Sequence, residues 1–477
     1  MHERDLPLII QGGMGVGISD WRLAQAVSRC GQLGVVSGTA LDAILVRRLQ
    51  SGDPGGHMRR GLDRLPHRQL VNRILDRYFI PGGKALRRPY AALPLHAKDN
   101  PRELVELCIA ANFVEVTLAR EGHDQPIGIN FLEKIQVPHL PSLYGAMLAG
   151  VAYVLMGAGI PTRIPGALDR LVRHEPASYP LFVTGAAEGD DVVVHFDPRE
   201  FAEGDLPPLH RPAFLPIVSS HVLAATLIKR SNGKVDGFVV EGPTAGGHNA
   251  PPRGRLRLNA GGEPVYGERD VVDLEKMRML GLPFWLAGGY GDAGKLREAL
   301  LDGAHGIQVG TAFAFCEESG MRADYKAQLR EQASQGVAQV FTDPRASPTS
   351  FPLKVAQLDG TLSSDEVYGH RARVCDLGYL REAYRTPDGE IGFRCPAEPV
   401  SAYVAKGGRA EDTHGRKCIC NALVATMGHP QVRGKTLEPP LITSGNALDS
   451  IGQFVPAGAM SYRAADVIAR LLADSLS

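Results

Sequence analysis

Short apolar runs, each ending at or near glycine, recur through the first two thirds of the chain and alternate with stretches of helical spacing. Residues 7–13 (PLIIQGG) are the first. Ser19 then caps a helix whose apolar positions Leu23, Ala26, Val27 and Cys30 share a face, and Gly31 ends it. Residues 33–38 (LGVVSG) repeat the strand pattern. Runs that are apolar throughout, rather than alternating, suit parallel strands buried on both faces. Six more follow, at 126–132, 151–157, 214–219, 237–240, 283–287 and 305–309. Eight such strands with intervening helices predict an α/β fold, a (β/α)8 TIM barrel over residues 1–50 and 126–320. Its active site belongs at the carboxyl ends of the strands, where glycines gather.

Two segments interrupt the alternation. Residues 51–125 are rich in arginine and proline and read as polar helices inserted after the second strand. Residues 321–477 form a mixed, proline-rich appendage expected to cover the barrel mouth. It closes on a helix with Ala464, Val467, Ile468, Leu471 and Leu472 on one face. The alternation in DVVVHF, within residues 181–198, suggests an added hairpin. Residues 138–161 lack Asp, Glu, Lys and Arg, but Gly145, Gly150, Gly157 and Gly159 cut them. A helix closing at Gly150 and then a buried strand fits better than a membrane span of about 20 residues.

Composition narrows the function classes. A chain of 477 residues, 44% hydrophobic, can build a large core. Lys+Arg and Asp+Glu are both 52, and no basic run suggests a nucleic-acid groove. The expected partner is a small molecule, with neither nucleic acid nor membrane. The start, MHERDLPLIIQGG, lacks the apolar core and cleavage site of a leader, which points to the cytoplasm. Seven cysteines, an odd number, fit reduced thiols. Cys375, Cys395, Cys418 and Cys420 lack paired zinc-knuckle spacing, so they read as free thiols and no metal is expected. Lys84 reads as a solvated loop lysine, and Asp236 and Asp273 as cap or surface carboxylates.

The chemistry concentrates in residues 239–254, VVEGPTAGGHNAPPRG, where a strand empties into a tight loop. Gly242, Gly246 and Gly247 let main chain approach a flat or phosphorylated ligand, and His248 supplies the one side chain there that ordinarily titrates near neutral pH. His248 is the candidate catalytic residue. The seventh strand ends in AGGYGD, ahead of a helix capped by Asp292, and the eighth in VGTAF. The loops after these two strands commonly hold phosphate in such barrels, which selects Gly288, Gly289, Gly310 and Thr311.

The motifs IIQGGMG (9–15), GIN (128–130), AGGH (245–248), LAGGYGD (286–292) and QVGTAF (308–313) resemble the nitronate monooxygenase, or 2-nitropropane dioxygenase, superfamily of FMN barrels. That superfamily also contains FMN-dependent enoyl reductases. The resemblance implies that Gly12, Gly13 and Met14 line an FMN ring, that Asn130 bonds it, and that the four phosphate candidates hold its phosphate. It makes His248 the active-site histidine. Thr244 and Ala312 depart from the acidic residue and the arginine that many members carry there. Glu241-Gly242 and the segments FTDPRASPTSFPLKV, FRCPAEP and GRKCICNAL resemble the longer trans-acting enoyl reductases of polyketide and polyunsaturated fatty acid synthases. The expected reaction is oxygen-dependent oxidation of alkyl nitronates. The second reading is NAD(P)H-dependent reduction of an enoyl thioester on an acyl carrier protein, and the third a non-catalytic flavin-binding subunit. The sequence carries no signal for oligomeric state.

Overall fold

The eight apolar runs become the eight strands of one sheet in the computed structural model, which describes residues 6–187 and 189–473. They are β1 (Ile9–Gln11), β2 (Gly34–Ser37), β3 (Ile127–Leu132), β4 (Tyr153–Gly157), β5 (Ala213–Val218), β6 (Phe238–Glu241), β7 (Phe284–Ala287) and β8 (Gly306–Val309). Consecutive strands pair in parallel, and β1 pairs with β8 in the register Ile9↔Ile307. A parallel bridge from Ile10 to Leu33, with Gln11 N donating to Leu33 O and Leu33 N to Ile9 O, closes the ring. The barrel is therefore complete.

The continuous apolar pattern has its cause in two cores. Ile10, Leu33, Val35, Leu155, Leu215, Val239 and Trp285 fill the inside of the barrel, and the Trp285 indole donates to Pro7 O at 2.7 Å. Alternate positions such as Ile9, Val36, Val154, Phe214, Val240, Leu286 and Ile307 face the surrounding helices. Helix His139–Leu148 and strand β4 account for the uncharged stretch around residue 150. No helix among the described residues is long and apolar enough to cross a membrane. Residues 1–5, on which part of the leader argument rested, lie outside the described residues.

Four local expectations are corrected. The helix Trp21–Arg29 is capped by Asp20, whose carboxylate accepts from Arg22 N and Leu23 N. Ser19 is instead buried, one residue too early to cap, and organises the loop after β1. Gly294, not Asp292, precedes helix Lys295–Leu301, because its left-handed conformation (φ +81°) turns the chain into it. Asp292 accepts from Gln453 in the C-terminal region. Residues 51–125 are not uniformly a polar insertion: Arg102–Ala119 is an almost wholly buried helix packed on Trp21–Arg29, Leu41–Gln50 and His139–Leu148. Its acidic residues disguised it. Glu106 is buried against Arg73 and Arg102, and Glu115 against Arg48. Asp273 does cap a helix, Leu274–Arg278, while Asp236 is a buried carboxylate holding Arg211 and Phe214 N.

The C-terminal region packs on the same core. Its last helix, Ala464–Ala473, buries Ala464, Val467, Ile468 and Leu471 and meets Trp21–Arg29. The antiparallel pair Val340–Asp343 and Leu353–Ala356 takes Gly247–His248 as a third strand, with His248 opposite Leu353. A second pair, Glu382–Arg385 and Ile391–Arg394, adds Val183–Thr184. The alternating segment Val193–Phe196 pairs with Ala177–Pro180 as a hairpin.

Candidate active site

At the carboxyl ends of the strands lies one deep cavity. Gly12, Gly13 and Met14 come to it from the β1 loop, Asn130 from β3, and Gly246, Gly247 and His248 from the β6 loop. Gly288 arrives after β7, and Gly310 and Thr311 after β8. Ten of the eleven candidate residues thus share a wall, although the chain separates them by up to 299 positions, Gly12 to Thr311. Gly289 does not line it. It is exposed, and its main chain seals against Thr244, whose hydroxyl lies 3.3 Å from where a β-carbon would stand.

Each piece is held by its own local chemistry. The buried Ser19 hydroxyl accepts from Gln11 Nε2 (2.9 Å) and Met14 N (3.0 Å) and donates to Gly12 O (3.1 Å), which fixes the β1 loop. Gly13 packs so closely on Asn130 that a methyl group would overlap the asparagine Cβ. Gly288 sits at φ +88°, in the left-handed region that glycine enters freely, and a β-carbon there would meet Gly242 O at 3.0 Å. The C-terminal region supplies the remaining wall. Gly445 N donates to Thr311 Oγ1 at 2.9 Å and Asn446 N to Thr244 O at 3.1 Å, so this strand-like segment is clamped onto two site loops.

The electrostatics are unusual for a polar site. Among the described residues, no lysine or arginine lines the cavity. Its carboxyl is Glu241, at the last position of β6, which makes no side-chain hydrogen bond or ion pair with the described residues. Withdrawal from water, which disfavours the charged form, pushes this carboxyl up to about 8. The same cause pulls His248 down to about 4. The imidazole expected to titrate near neutral pH therefore stays neutral there, and Glu241 is the group that titrates closest to it. His248 Nε2 lies 2.7 Å from Ser347 Oγ, which in turn bonds Thr349 Oγ1 at 2.8 Å. That hydroxyl chain governs which ring nitrogen carries the proton.

Several participants escaped the sequence reading. Gln308 lines the cavity from β8 with a buried Oε1 that has no partner, as does Oδ1 of Asn130. Their common signal is a polar residue inside an otherwise apolar strand: Asn130 in IGINFL, Glu241 in FVVE and Gln308 in GIQV. Ser347, Gly445, Tyr379 and Cys420 come from the C-terminal region, where no local pattern marks them. Among the four C-terminal cysteines, all free, Cys420 lines the cavity and Cys395 and Cys418 are buried. Lys84 donates to Arg88 O at 2.7 Å and lies over the Tyr90 ring, as a loop-stabilising residue.

Fold and site together define a parallel (β/α)8 barrel with a main-chain cradle and buried amide acceptors at the strand ends. Residues 194–344, which span the His248 loop and both glycine turns, match the nitronate monooxygenase family model. A nitronate monooxygenase of Pseudomonas aeruginosa is 34% identical over 124 residues, 25% of this chain and 32% of that protein. The match to the family model is confined to residues 194–344, and the aligned part spans about a third of that relative's length. Solved structures aligning over most of the chain include FabK from Thermotoga maritima (16% identity, 98% of this chain and 93% of that one, TM-score 0.47). A nitroalkane oxidase from Streptomyces ansochromogenes aligns at 15% identity, over 99% and 96%, with a TM-score of 0.45.

Proposed function

We propose that this protein is a flavin-dependent oxidoreductase that oxidises alkyl nitronates with dioxygen, with FMN as its flavin and the cytoplasm as its place of work. The observation that carries the reading is the convergence, in one cavity, of the family-matched His248 loop with the glycines of β1, β7 and β8 and with Asn130.

The residues fit the cofactor. Asn130 Oδ1 and Gln308 Oε1 are buried acceptors without partners, suited to ring N–H groups. Gly12 and Gly13 leave room for a flat ring: a β-carbon at Gly13 would collide with Asn130, and one at Gly12 would fill the space beside Gln308. Gly288, Gly310 and the hydroxyl of Thr311 would hold the phosphate, with the Gly445 amide steadying that hydroxyl. When bound, the flavin supplies the route for electrons from substrate to oxygen. Everything else falls to the protein.

A nitronate is an anion, and it enters a cavity that no lysine or arginine among the described residues lines. Its oxygens must therefore be met by neutral donors. His248, uncharged at neutral pH and steadied by Ser347, offers a ring N–H, and Glu241, protonated below about 8, offers an O–H. The C-terminal wall keeps the reacting atoms from bulk water. The test is nitrite release with oxygen uptake from propyl-2-nitronate, without NAD(P)H, by protein that carries bound flavin. Absence of nitrite at every substrate concentration rejects the reading.

One observation favours a second reading, reduction of an enoyl thioester by NAD(P)H. Leu353, Ile419, Leu423 and Leu441 extend the cavity wall as an apolar surface suited to an acyl chain. Anaerobic bleaching of the flavin by NADPH, reversed by crotonyl thioester, would support it. A flavin indifferent to NADPH sinks it.

A further inference from the structure

We infer that Asp42, His96 and Cys108, outside the main cavity, form a binding site for one divalent transition-metal ion of the zinc type. A carboxylate oxygen of Asp42, Nε2 or Nδ1 of His96 and Sγ of Cys108 lie within 4.8 Å of one another. All three residues are at most 5% exposed. They reach this point from separate pieces of chain: Asp42 from the first turn of helix Leu41–Gln50, Cys108 from helix Arg102–Ala119, and His96 from the irregular segment between them.

The donor set suits such an ion. Aspartate, thiolate and neutral imidazole together cancel a double positive charge, so the occupied site would bury no net charge. His96 Nε2 and Asp42 Oδ2 are 3.0 Å apart. Two ligand atoms on one tetrahedral zinc, at about 2.0–2.1 Å each, stand roughly 3.3 Å from each other. For this pair a shift of a few tenths of an ångström suffices, while Sγ of Cys108, within 4.8 Å of both, must close to roughly 3.6 Å.

Two of the ligands are also supported from behind. Tyr379 Oη donates to Asp42 Oδ1 at 2.6 Å, and Cys108 hydrogen-bonds Ser142. Such outer partners orient metal ligands.

A separate observation lies on the Asp42 side of the cluster, Asp42 being the ligand that lines the cavity there. A small cavity of about 20 Å3, enough for one water, is walled in part by Asp42, Asn112, Ser142 and Tyr379. Asn112, 1% exposed, donates through Nδ2 to Cys108 O, yet its Oδ1 is buried without a partner. A metal-bound water in this cavity would supply the donor that this oxygen lacks. Burial and the charge of Asp42 hold the free Cys108 thiol protonated. On binding, the metal–sulfur bond replaces the S–H bond and the proton leaves to solvent. Tyr379 lines both cavities, so the metal would brace part of the main cavity's wall.

The test uses full-length protein with its native cofactor, reconstituted with zinc and dialysed. The expected result is about one zinc per chain, with an X-ray absorption spectrum showing one sulfur at about 2.3 Å among nitrogen and oxygen at about 2.0–2.2 Å. Cys108→Ser should lose the sulfur shell, and Cys418→Ser should keep it. Tyr379→Phe should keep the shell but weaken affinity roughly 10–100-fold. Wild-type protein holding less than about a tenth of an equivalent after reconstitution overturns the site. A spectrum without sulfur, or with a four-sulfur shell assignable to the C-terminal cysteines, overturns it too, whether or not the variants fold.

Discussion

Replacing Gly445 by alanine tests whether the C-terminal region is part of the cofactor site or merely lies over it. Gly445 has φ −83° and ψ 174°, extended backbone that alanine adopts without strain, so the perturbation is purely one of space. The new methyl would stand 2.8 Å from Thr311 Oγ1, 3.1 Å from Thr244 O and 3.2 Å from Gly246 N. Two of those three atoms are main chain and cannot rotate away. Relief requires moving residues 444–446 off the barrel, which breaks the 2.9 Å bond from Gly445 N to Thr311. Overpacking of this kind costs about 1–3 kcal/mol and the bond about 0.5–1.5 kcal/mol. Because Thr311 and Gly246 both line the cavity, about 1.4–2.8 kcal/mol of this should appear as FMN affinity weakened roughly 10–100-fold. Titration of flavin-free protein, followed by quenching of FMN fluorescence, measures it. Gly452→Ala, where a methyl meets nothing within 4 Å, is the control and should bind as wild type. An unchanged dissociation constant in folded Gly445→Ala protein would refute the placement of the phosphate beside Thr311.

The other tests address the core, the two titrating groups and the histidine's partner. Arg48→Met leaves Asp20 and Glu115, both at most 3% exposed, without their shared cation; denaturant unfolding should show a loss of about 3–5 kcal/mol. Glu241 rises from its ordinary 4.5 to about 8, so between those values the folded state binds the extra proton and stability falls as pH climbs. In Glu241→Gln the melting-temperature advantage over wild type should accordingly widen from pH 5 to pH 8 and then level off; a constant difference would contradict a protonated carboxyl. Ser347→Ala removes the hydroxyl at His248 and should lower kcat for nitrite release roughly tenfold, the worth of one positioning hydrogen bond; an unaltered kcat and pH profile would leave Ser347 structural. A chain ending at residue 320 loses Ser347, Gly445 and the helix covering Trp21–Arg29, and a gel-filtration and flavin-binding assay should find it aggregated and colourless.

The barrel was legible because its strands are buried on both faces. That constraint prints as a contiguous apolar run, and all eight runs became the strands of one ring. The glycines were legible for a related reason, since close approach of the Asn130 side chain at Gly13, and of main chain at Gly288, leaves little room for any other residue. Helix Arg102–Ala119 was misread because ion pairs let charge into the interior: Glu106 and Glu115 look like surface residues until Arg73, Arg102 and Arg48 are placed beside them. His248 lines the cavity, but its local sequence says nothing of the depth that pulls its titration down to about 4. Ser347 and Gly445 had no periodic signature at all. They matter only through contacts across 99 and 134 residues of chain.

Those long-range contacts bear on how the site achieves specificity. The barrel alone provides the cradle, from residues matched in part by the family model. The wall facing it differs in origin: Leu353 lies opposite His248 in the added sheet, Ser347 bonds the ring, and Gly445 bonds the hydroxyl of Thr311. Leu353 and Leu441, from the segments that carry these polar locks, also line the cavity, so the segments that hold His248 and Thr311 also shape the substrate space. A change in the C-terminal region would then alter substrate choice and cofactor grip together. In a barrel whose wall came only from its own loops, the two could vary independently.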